Sequence, residues 1–210
     1  MKPRFQLVPA GLDPGRNPTA SGAPEVDRAT LMRAQGGDEA ACRVLVERHQ
    51  RVVFATISRV VGAGVRQSLV PDLAQETFLR VFRQLGRFEP DGPGRLSSWI
   101  STIAARVALD ECKRRRLDLA PPEAAAEVPD PSSAEQGATA DDAARAVAAT
   151  LAALGPGPRA VLLLRVEHEL SYEAIAERLG IEVGTVKSRL ARARAALWQA
   201  LADAAEEETS

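Results

Sequence analysis

The sequence has few cysteines, few aromatic residues and no long apolar run, and each shortage argues against a class of protein. Its 210 residues include 2 cysteines, Cys42 and Cys112, too far apart for a Cys-x-x-Cys metal motif and too few for a disulfide scaffold. Aromatic residues make up 4%, which argues against a β-sandwich, because strands favour aromatic and β-branched side chains. The longest strongly apolar run, at 161–164, is far too short to span a membrane.

Alanine, leucine and arginine are abundant instead, and this composition favours helices. We interpret both cysteines as buried thiols, with a single disulfide as the alternative. Lys2 and Arg4 precede prolines rather than an apolar core, so no secretory signal is expected. The sequence therefore predicts an all-α cytoplasmic protein that holds no metal and no cofactor.

Two helical blocks are separated by a segment of different composition. Residues 1–25 are rich in Pro, Gly, Ala and Ser and predict a disordered tail, and 26–116 predict a first helical domain. Residues 117–142 hold seven acids, four prolines and no base, which predicts a flexible acidic linker. A second helical domain is expected at 143–202, and 203–210 form an acidic tail.

Residues 171–197 carry the pattern of two helices joined by a glycine turn. Ser171 suits the cap of the first helix, Gly180 suits a turn that needs a positive φ, and Thr185 is the expected cap of the second helix. One apolar stripe follows at helical spacing. Its members are Val186, Leu190, Ala193 and Leu197. This order of elements predicts a helix-turn-helix.

The second of these helices is cationic and has no acid between Gly184 and Ala202, although the chain has a formal net charge of −1. Flanking Lys and Arg would neutralise phosphates while central polar side chains reach base edges in the major groove. The alternative is a solvated face on an ordinary core helix, but such faces normally mix both signs of charge. We therefore predict a DNA-binding helix.

Residues 71–88 predict a helix in the first domain, with Pro71 and Asp72 as its start signal. Its inner face collects apolar side chains at helical spacing. They are Leu73, Ala74, Phe78, Val81, Phe82 and Leu85. Leu79 projects the other way amid charged residues, which suits a protein interface as well as it suits packing under a neighbouring loop.

The stretch from Arg95 to Arg116 holds six bases and two acids and predicts another helix. Its apolar stripe consists of Leu96, Trp99, Ile100, Ile103 and Val107. We interpret Trp99 as a core residue rather than a base-stacking platform, because it lies on this stripe. The basic face either binds nucleic acid or solubilises the end of the helix, where cations are favourable.

Two strings in the helix-turn-helix, "SYEAIA" and "GTVKSRLARAR", resemble region 4 of the extracytoplasmic-function (ECF) group of bacterial sigma factors, the smallest members of the sigma-70 family. In that family region 4 reads the −35 promoter element. The resemblance assigns −35 contact to Thr185, Lys187, Ser188, Arg189, Arg192 and Arg194. Ala191 stands where some relatives carry a bulkier residue, so one apolar base contact is expected to be missing.

The string "DLAQETFL" resembles sigma region 2.2, which docks on the clamp coiled coil of the polymerase β′ subunit. This contact is assigned to Asp72, Gln75, Glu76 and Leu79. Residues 95–116 resemble regions 2.3 and 2.4, which melt and read the −10 element. The −10 residues implied are Arg95, Ser97, Ser98, Arg106, Lys113 and Arg114. Relatives often carry Asn at position 106 and a base at position 102, so Arg106 and Thr102 leave the identity of the −10 sequence open.

The resemblance covers about 29–116 and 143–201, and sigma region 3 is missing, as in the ECF group. It implies a sigma factor that binds core RNA polymerase, recognises both promoter elements and directs transcription initiation in response to a stress or envelope signal. The implied partners are core polymerase, promoter DNA and an anti-sigma factor, with no small-molecule substrate. The acidic linker would thread the polymerase cleft toward the RNA exit path.

Two other classes of function compete with this interpretation. A stand-alone DNA-binding regulator would need only the second domain and would have no use for a polymerase-docking helix. An enzyme is disfavoured, because His49 and His168 have no evident catalytic partners and no Gly-rich phosphate loop is present. Glu167 and Glu169 are expected to be solvated ends of helices rather than catalytic acids.

Overall fold

The structure is a computed structural model that describes residues 25–62, 67–92, 94–118 and 140–207. Within those ranges every regular element is helical, which confirms the predicted all-α class. The first unit contains α1 (Arg28–Gln35), α2 (Glu39–Val61), α3 (Val70–Gln84) and α4 (Leu96–Asp118). The second contains α5 (Ala140–Ala153), α6 (Pro156–Val166), α7 (Tyr172–Leu179) and α8 (Val183–Glu207). The expected tail, apart from Glu25, and the expected linker, apart from its ends, lie outside the described residues.

Side-chain caps determine where α1 and α2 begin. The carboxylate of Asp27 accepts a hydrogen bond from the backbone N–H of Thr30 at 2.9 Å, and that of Asp38 accepts one from Ala41 N–H at 2.9 Å. These contacts lower the pKa of both carboxyl groups, chiefly through the Thr30 side chain for Asp27 and the Ala41 backbone for Asp38. The cap at Asp38 agrees with the sequence pattern.

Helix α4 lies at the centre of the first unit and packs against both α2 and α3. Four members of the predicted stripe are buried: Leu96, Ile100, Ile103 and Val107. Small residues on other sides of the helix are buried as well, including Ser101, Ala104, Ala105 and Ala108. Trp99 packs against Phe88, with ring centroids 5.3 Å apart, as a core residue would. Helix α4 is therefore enclosed on more sides than its apolar stripe alone predicts.

Helix α3 buries the face that its sequence pattern selects. Ala74, Phe78, Val81 and Leu85 are buried, and Leu73 and Phe82 pack partly buried against the same core. The helix begins at Val70, so Pro71 falls in the first turn, where a missing N–H costs no hydrogen bond. The opposite face, with Leu79, is left for other contacts.

In the second unit, α8 packs against α5, α6 and α7. Val186, Leu190 and Ala193 of the predicted stripe are buried, and Leu197 is half-buried. The expected cap at Thr185 is wrong, because α8 already begins at Val183. The Thr185 and Val186 N–H groups donate to the carbonyl of Glu182, so the first turn closes before Thr185.

The two units pack against each other. Helix α6 contacts α2 and α4, and α7 contacts α4. Ala160, Val161, Leu164 and Ile175 of the second unit belong to one continuous buried cluster with residues of the first unit. The sequence predicted two domains and a connecting segment, and this shared core is an addition that only the structure supplies.

Candidate functional site

Helices α7 and α8 form the predicted helix-turn-helix. The Ser171 hydroxyl caps α7 by accepting from Ala174 N–H at 3.1 Å. Gly180 ends α7 with φ +65°, a conformation that glycine adopts without a Cβ penalty, and the N–H of Ile181 returns to the carbonyl of Ala176. The turn and the buried stripe fix the orientation of α8, so the opposite side of α8 faces solvent.

The candidate −35 residues lie along that outer side of α8, but they are not equally available. Lys187, Ser188, Arg192 and Arg194 are exposed, and Thr185 and Arg189 are half-buried. The guanidinium of Arg194 donates to the hydroxyl of Tyr172 at 3.3 Å, and Nε of Arg192 lies 3.4 Å from the carbonyl oxygen of Ser188. Arg189 lies over Gly157, where an added Cβ would be 3.0 Å from its Cζ. The structure therefore brings all six residues onto one helix, with Arg189 turned partly toward α6.

The candidate polymerase-contact residues share the outer side of α3. Asp72 and Gln75 are exposed, and Glu76 and Leu79 are half-buried. Glu76 accepts from Nε of Arg80 at 2.8 Å, and Arg80 also donates to Asp110 of α4 at 3.0 Å. Glu76 therefore belongs to a bridge between α3 and α4 as well as to the outer surface.

The candidate −10 residues are divided by burial. Arg106 and Lys113 are exposed on α4, and Arg114 is exposed but pairs with Glu111 at 2.9 Å. Ser97 and Ser98, however, are 1% and 4% exposed. The Ser98 hydroxyl is therefore out of reach of DNA, and the Ser97 hydroxyl is covered in this arrangement of the chain.

Glu25 is a residue of this site that sequence reasoning missed. Its Oε1 accepts from the Ser97 hydroxyl at 2.6 Å and from the Ser97 backbone N–H at 3.2 Å, and lies 3.4 Å from Nε of Arg95. A cavity of about 320 Å³ adjoins this contact and is lined in part by Glu25, Gly94, Arg95 and Leu96. No local pattern links position 25 to position 97, so the sequence carried no signal for this contact.

The junction between the units contains two further polar contacts that the sequence did not indicate. The carboxylate of Glu167 in the second unit pairs with the guanidinium of Arg59 on α2. Nη2 of Arg159 donates to the carbonyl of Val61 at 3.3 Å, and its guanidinium occupies the space beside Gly62, where a Cβ would be only 1.8 Å from Nη1. The expectation that Glu167 is a solvated helix end is wrong. Burial raises its pKa despite the pairing with Arg59, so desolvation outweighs the attraction.

His168, next to Glu167, is 7% exposed, and neither ring nitrogen has a hydrogen-bond partner among the described residues. Burial, together with the charges of Arg95, Arg178 and Arg59, lowers the pKa of His168 to about 4. Arg178 itself reaches the first unit, since a Cβ on Gly94 would lie 3.0 Å from its Nη2. The histidine is therefore neutral at pH 7 in a junction rich in arginine.

The described part of the chain gives little support to a disulfide, a metal site or a membrane span. Cys42 and Cys112 are both free thiols there, and burial raises the pKa of each. No cluster of metal-ligating side chains occurs among the residues described. Among the same residues, no helix combines the length and the apolar character that crossing a membrane requires.

Comparison with known protein families matches both units. Residues 45–117 match the family described as Sigma-70 region 2, and residues 144–197 match Sigma-70, region 4. The chain is 31% identical over 185 residues to the ECF RNA polymerase sigma-E factor of Escherichia coli (strain K12), a match that covers 81% of this chain and 92% of that protein. It is 32% identical over 187 residues to the RNA polymerase sigma-H factor of Pseudomonas aeruginosa, covering 84% of this chain and 94% of that one.

Solved structures give a similar result. The structure of CnrH in complex with the cytosolic domain of CnrY is 31% identical, with a TM-score of 0.52, and the match covers 85% of this chain and 97% of that chain. The sigma factor RpoE of Bartonella quintana, solved in complex with the anti-sigma factor NepR, is 20% identical with a TM-score of 0.50, over 76% of this chain and 95% of that one. The second likeness concerns the fold alone.

Proposed function

The chain belongs to the ECF sigma factors of the sigma-70 family, which direct RNA polymerase to promoters for transcription initiation, and on that premise we propose how its surfaces divide the work. Helix α8 reads the −35 element, α4 with the loop before it reads the −10 element, and α3 docks on the β′ clamp coiled coil of core polymerase. The single observation that carries the assignment of α8 is its row of exposed cations, Lys187, Arg192 and Arg194, in a stretch with no acid between Gly184 and Ala202.

On α8 the division between base and phosphate contact follows from position. Ser188 and Arg192 lie one turn apart on the outer side of the helix, where side chains meet base edges in the major groove. Lys187 and Arg194 lie seven positions apart on one flank of that row, where both can contact phosphates along one side of the groove. Arg189, which is half-buried against α6, is the least available of these cations.

For the first unit, exposed surfaces and a cavity support the proposed docking and −10 contacts. Asp72 and Gln75 are exposed on α3 and Leu79 is half-buried beside them, a mixed polar and apolar patch that suits a protein partner. The exposed cations of α4, together with the cavity beside Arg95, provide both a phosphate-binding row and a recess that could hold one extruded base. Glu76, which is paired with Arg80, contributes charge to the edge of the α3 patch.

Regulation by an anti-sigma factor is part of the proposal, since two of the solved relatives carry such a partner or a cytosolic domain bound to them. A stress or envelope signal would release the chain from that partner in the cytoplasm. The chain supplies binding surfaces and no catalytic residue, because the nucleotidyl transfer belongs to the polymerase. No small-molecule substrate is required.

The test is run-off transcription with core polymerase on a library of random promoter DNA, with and without the full chain. We expect transcripts that depend on the chain and start downstream of one pair of enriched elements about 25 base pairs apart, as the names of the two elements imply. If the chain binds duplex DNA alone and adds no transcript with core polymerase, it acts as a stand-alone regulator and this assignment is overturned.

A further inference from the structure

A carboxylate from the start of the described chain occupies the turn at which α4 begins. Glu25 Oε1 accepts hydrogen bonds from the Ser97 hydroxyl at 2.6 Å and from the Ser97 backbone N–H at 3.2 Å. Nε of Arg95 lies 3.4 Å from the same oxygen. Both donor residues are among those proposed above for −10 contact. The Glu25 carboxylate therefore competes with DNA for the same donors on Ser97 and Arg95.

The donors gathered here suit an anionic oxygen. A backbone N–H in the first turn of a helix has no partner within the helix, and the helix dipole adds positive potential at that end. The guanidinium of Arg95 adds a full positive charge, and the serine hydroxyl adds a third donor. Glu25 satisfies all three at once, and Ser97 is 1% exposed beneath it.

The position of the contact makes exchange possible. The Glu25 side chain is 32% exposed, and that of Arg95 is 48% exposed, so the pair lies at the surface rather than in the core. Both line the cavity of about 320 Å³ that opens beside the first turn of α4. A nucleic-acid strand could enter there and replace the carboxylate without unpacking the helices.

We propose that Glu25 is an internal competitor for the −10 strand: its carboxylate holds the site that a backbone phosphate of single-stranded −10 DNA takes when Glu25 leaves. The inference rests on the proposed −10 role of 95–116. The Glu25 contact weakens −10 binding, because the strand must first displace a bound anion.

The experiment uses holoenzyme reconstituted from core polymerase and the full chain. The probe is the forked promoter DNA selected by run-off transcription, with a single-stranded −10 strand, and the dissociation constant is measured by fluorescence anisotropy. Glu25→Ala should tighten binding about tenfold, the range for loss of one charge-assisted competitor. Glu25→Gln should tighten it less, because an amide oxygen still accepts from Ser97. The control Glu47→Gln removes a carboxylate from the exposed side of α2, outside that cavity, and should change binding less than twofold.

Unchanged or weaker binding by folded Glu25→Ala, checked by circular dichroism, would overturn the inference and make Glu25 an anchor for the N-terminal segment. If Glu25→Ala does not fold, Glu25→Gln is judged by the same criterion. An equal gain in Glu47→Gln would also overturn it, because general loss of negative charge would then explain the effect. Failure of the parent holoenzyme to prefer the selected −10 strand over a scrambled strand would instead overturn the proposed function, and this inference with it.

Discussion

At the scale of single residues, Arg192 and Arg194 lie two positions apart on α8 and face different surroundings. Arg192 is exposed beside Ser188, and its Nε lies 3.4 Å from the Ser188 carbonyl oxygen of the same helix. Arg194 is exposed too, but its guanidinium is tied to the hydroxyl of Tyr172 on α7. We infer that Arg192 is free to reach a base edge and that Arg194 is positioned beside a phosphate.

Replacing these arginines separately should therefore have different effects on −35 binding. Arg192→Ala should weaken binding by about 1–3 kcal/mol and relax sequence preference, because a base contact is lost. Arg194→Ala should weaken all sequences alike and reduce the salt dependence by about one phosphate. Titrations on specific and scrambled −35 duplexes at several salt concentrations distinguish the two effects. Identical salt slopes and sequence profiles in both variants would contradict the division.

The stability of the junction between the units depends on pH through His168. The folded chain binds a proton at His168 less readily than the unfolded chain does, since its pKa is about 4 in the fold against an ordinary value of 6.5. The stability associated with neutral His168 is thus complete above about pH 6.5 and is lost as the pH falls toward about 4. Over the whole range the loss is about 3 kcal/mol.

We expect the free energy of unfolding to fall by about 1 kcal/mol more in the parent than in His168→Gln when the pH is lowered from 7.5 to 5.5. Urea titrations at the two pH values measure this difference. The pH dependence that remains in His168→Gln includes a contribution from His49, because burial also lowers the pKa of His49. Equal losses in both proteins would show that His168 does not titrate with the fold.

At the scale of the element, the two sides of α3 have different roles. Its inner side is buried against α2 and α4, so substitutions there act on stability. On its outer side, Asp72 and Gln75 are exposed, whereas Glu76 is tied through Arg80 to α4. A test of polymerase docking is therefore cleaner at Asp72 and Gln75 than at Glu76.

The double variant Asp72→Arg, Gln75→Arg should lose binding to core polymerase while its melting temperature changes little, because both positions are exposed. Placing a cation at Asp72, in the first turn of α3, costs only about 0.3–1 kcal/mol. Its control, Glu47→Arg, reverses a charge on the exposed side of α2 and should bind normally. Co-purification with tagged core polymerase measures both. Retained binding by the folded double variant would exclude this side of α3 as the docking surface.

The caps and apolar stripes of the helices could be predicted from sequence because they depend on residues only a few positions apart. Ser171 and Gly180 each act within one turn of chain, and each lies where the pattern placed it. The start of α8 was misplaced because Thr185 also suits a cap, and only the hydrogen bonds to Glu182 show which turn closes first.

At the scale of the whole molecule, the packing of the two units conflicts with simultaneous promoter contact. The −35 and −10 elements are about 25 base pairs apart, which is about 85 Å of duplex. Helix α8, with 25 residues, is only about 37 Å long, and its partner α7 contacts α4 directly. If α8 reads the −35 element and α4 reads the −10 element, as proposed, the chain must open at the junction, and the length of the 119–139 stretch limits its reach to about 70 Å.

Breaking the Arg59–Glu167 pair should favour the open chain. Glu167→Arg places like charges together at a half-buried contact and should weaken the junction by about 1–3 kcal/mol, because it leaves Arg59 without its carboxylate. We expect a larger radius of gyration in solution scattering and tighter binding of the free protein to a −35 duplex. The swap of Arg59→Glu with Glu167→Arg should restore the compact form.

A matched variant separates opening from added charge. Glu177→Arg makes the same charge change on the exposed side of α7, away from the Arg59 contact, and should leave the radius of gyration unchanged. If Glu167→Arg and Glu177→Arg raise DNA binding equally and neither expands, the junction does not restrict access to DNA.

The sequence by itself determined the all-α class, the cap of α7 and the glycine turn after it, the inner side of α3 and the cationic helix of the helix-turn-helix. Each of these follows from periodicity, capping or charge within a short stretch, so it is present before the chain folds. Only the tertiary structure decided that Ser97 is covered by Glu25, that Glu167 pairs with Arg59, and that Arg159 fills the space beside Gly62. Those contacts join residues about 70 to 110 positions apart, and they depend on how whole helical faces meet, which no local pattern specifies.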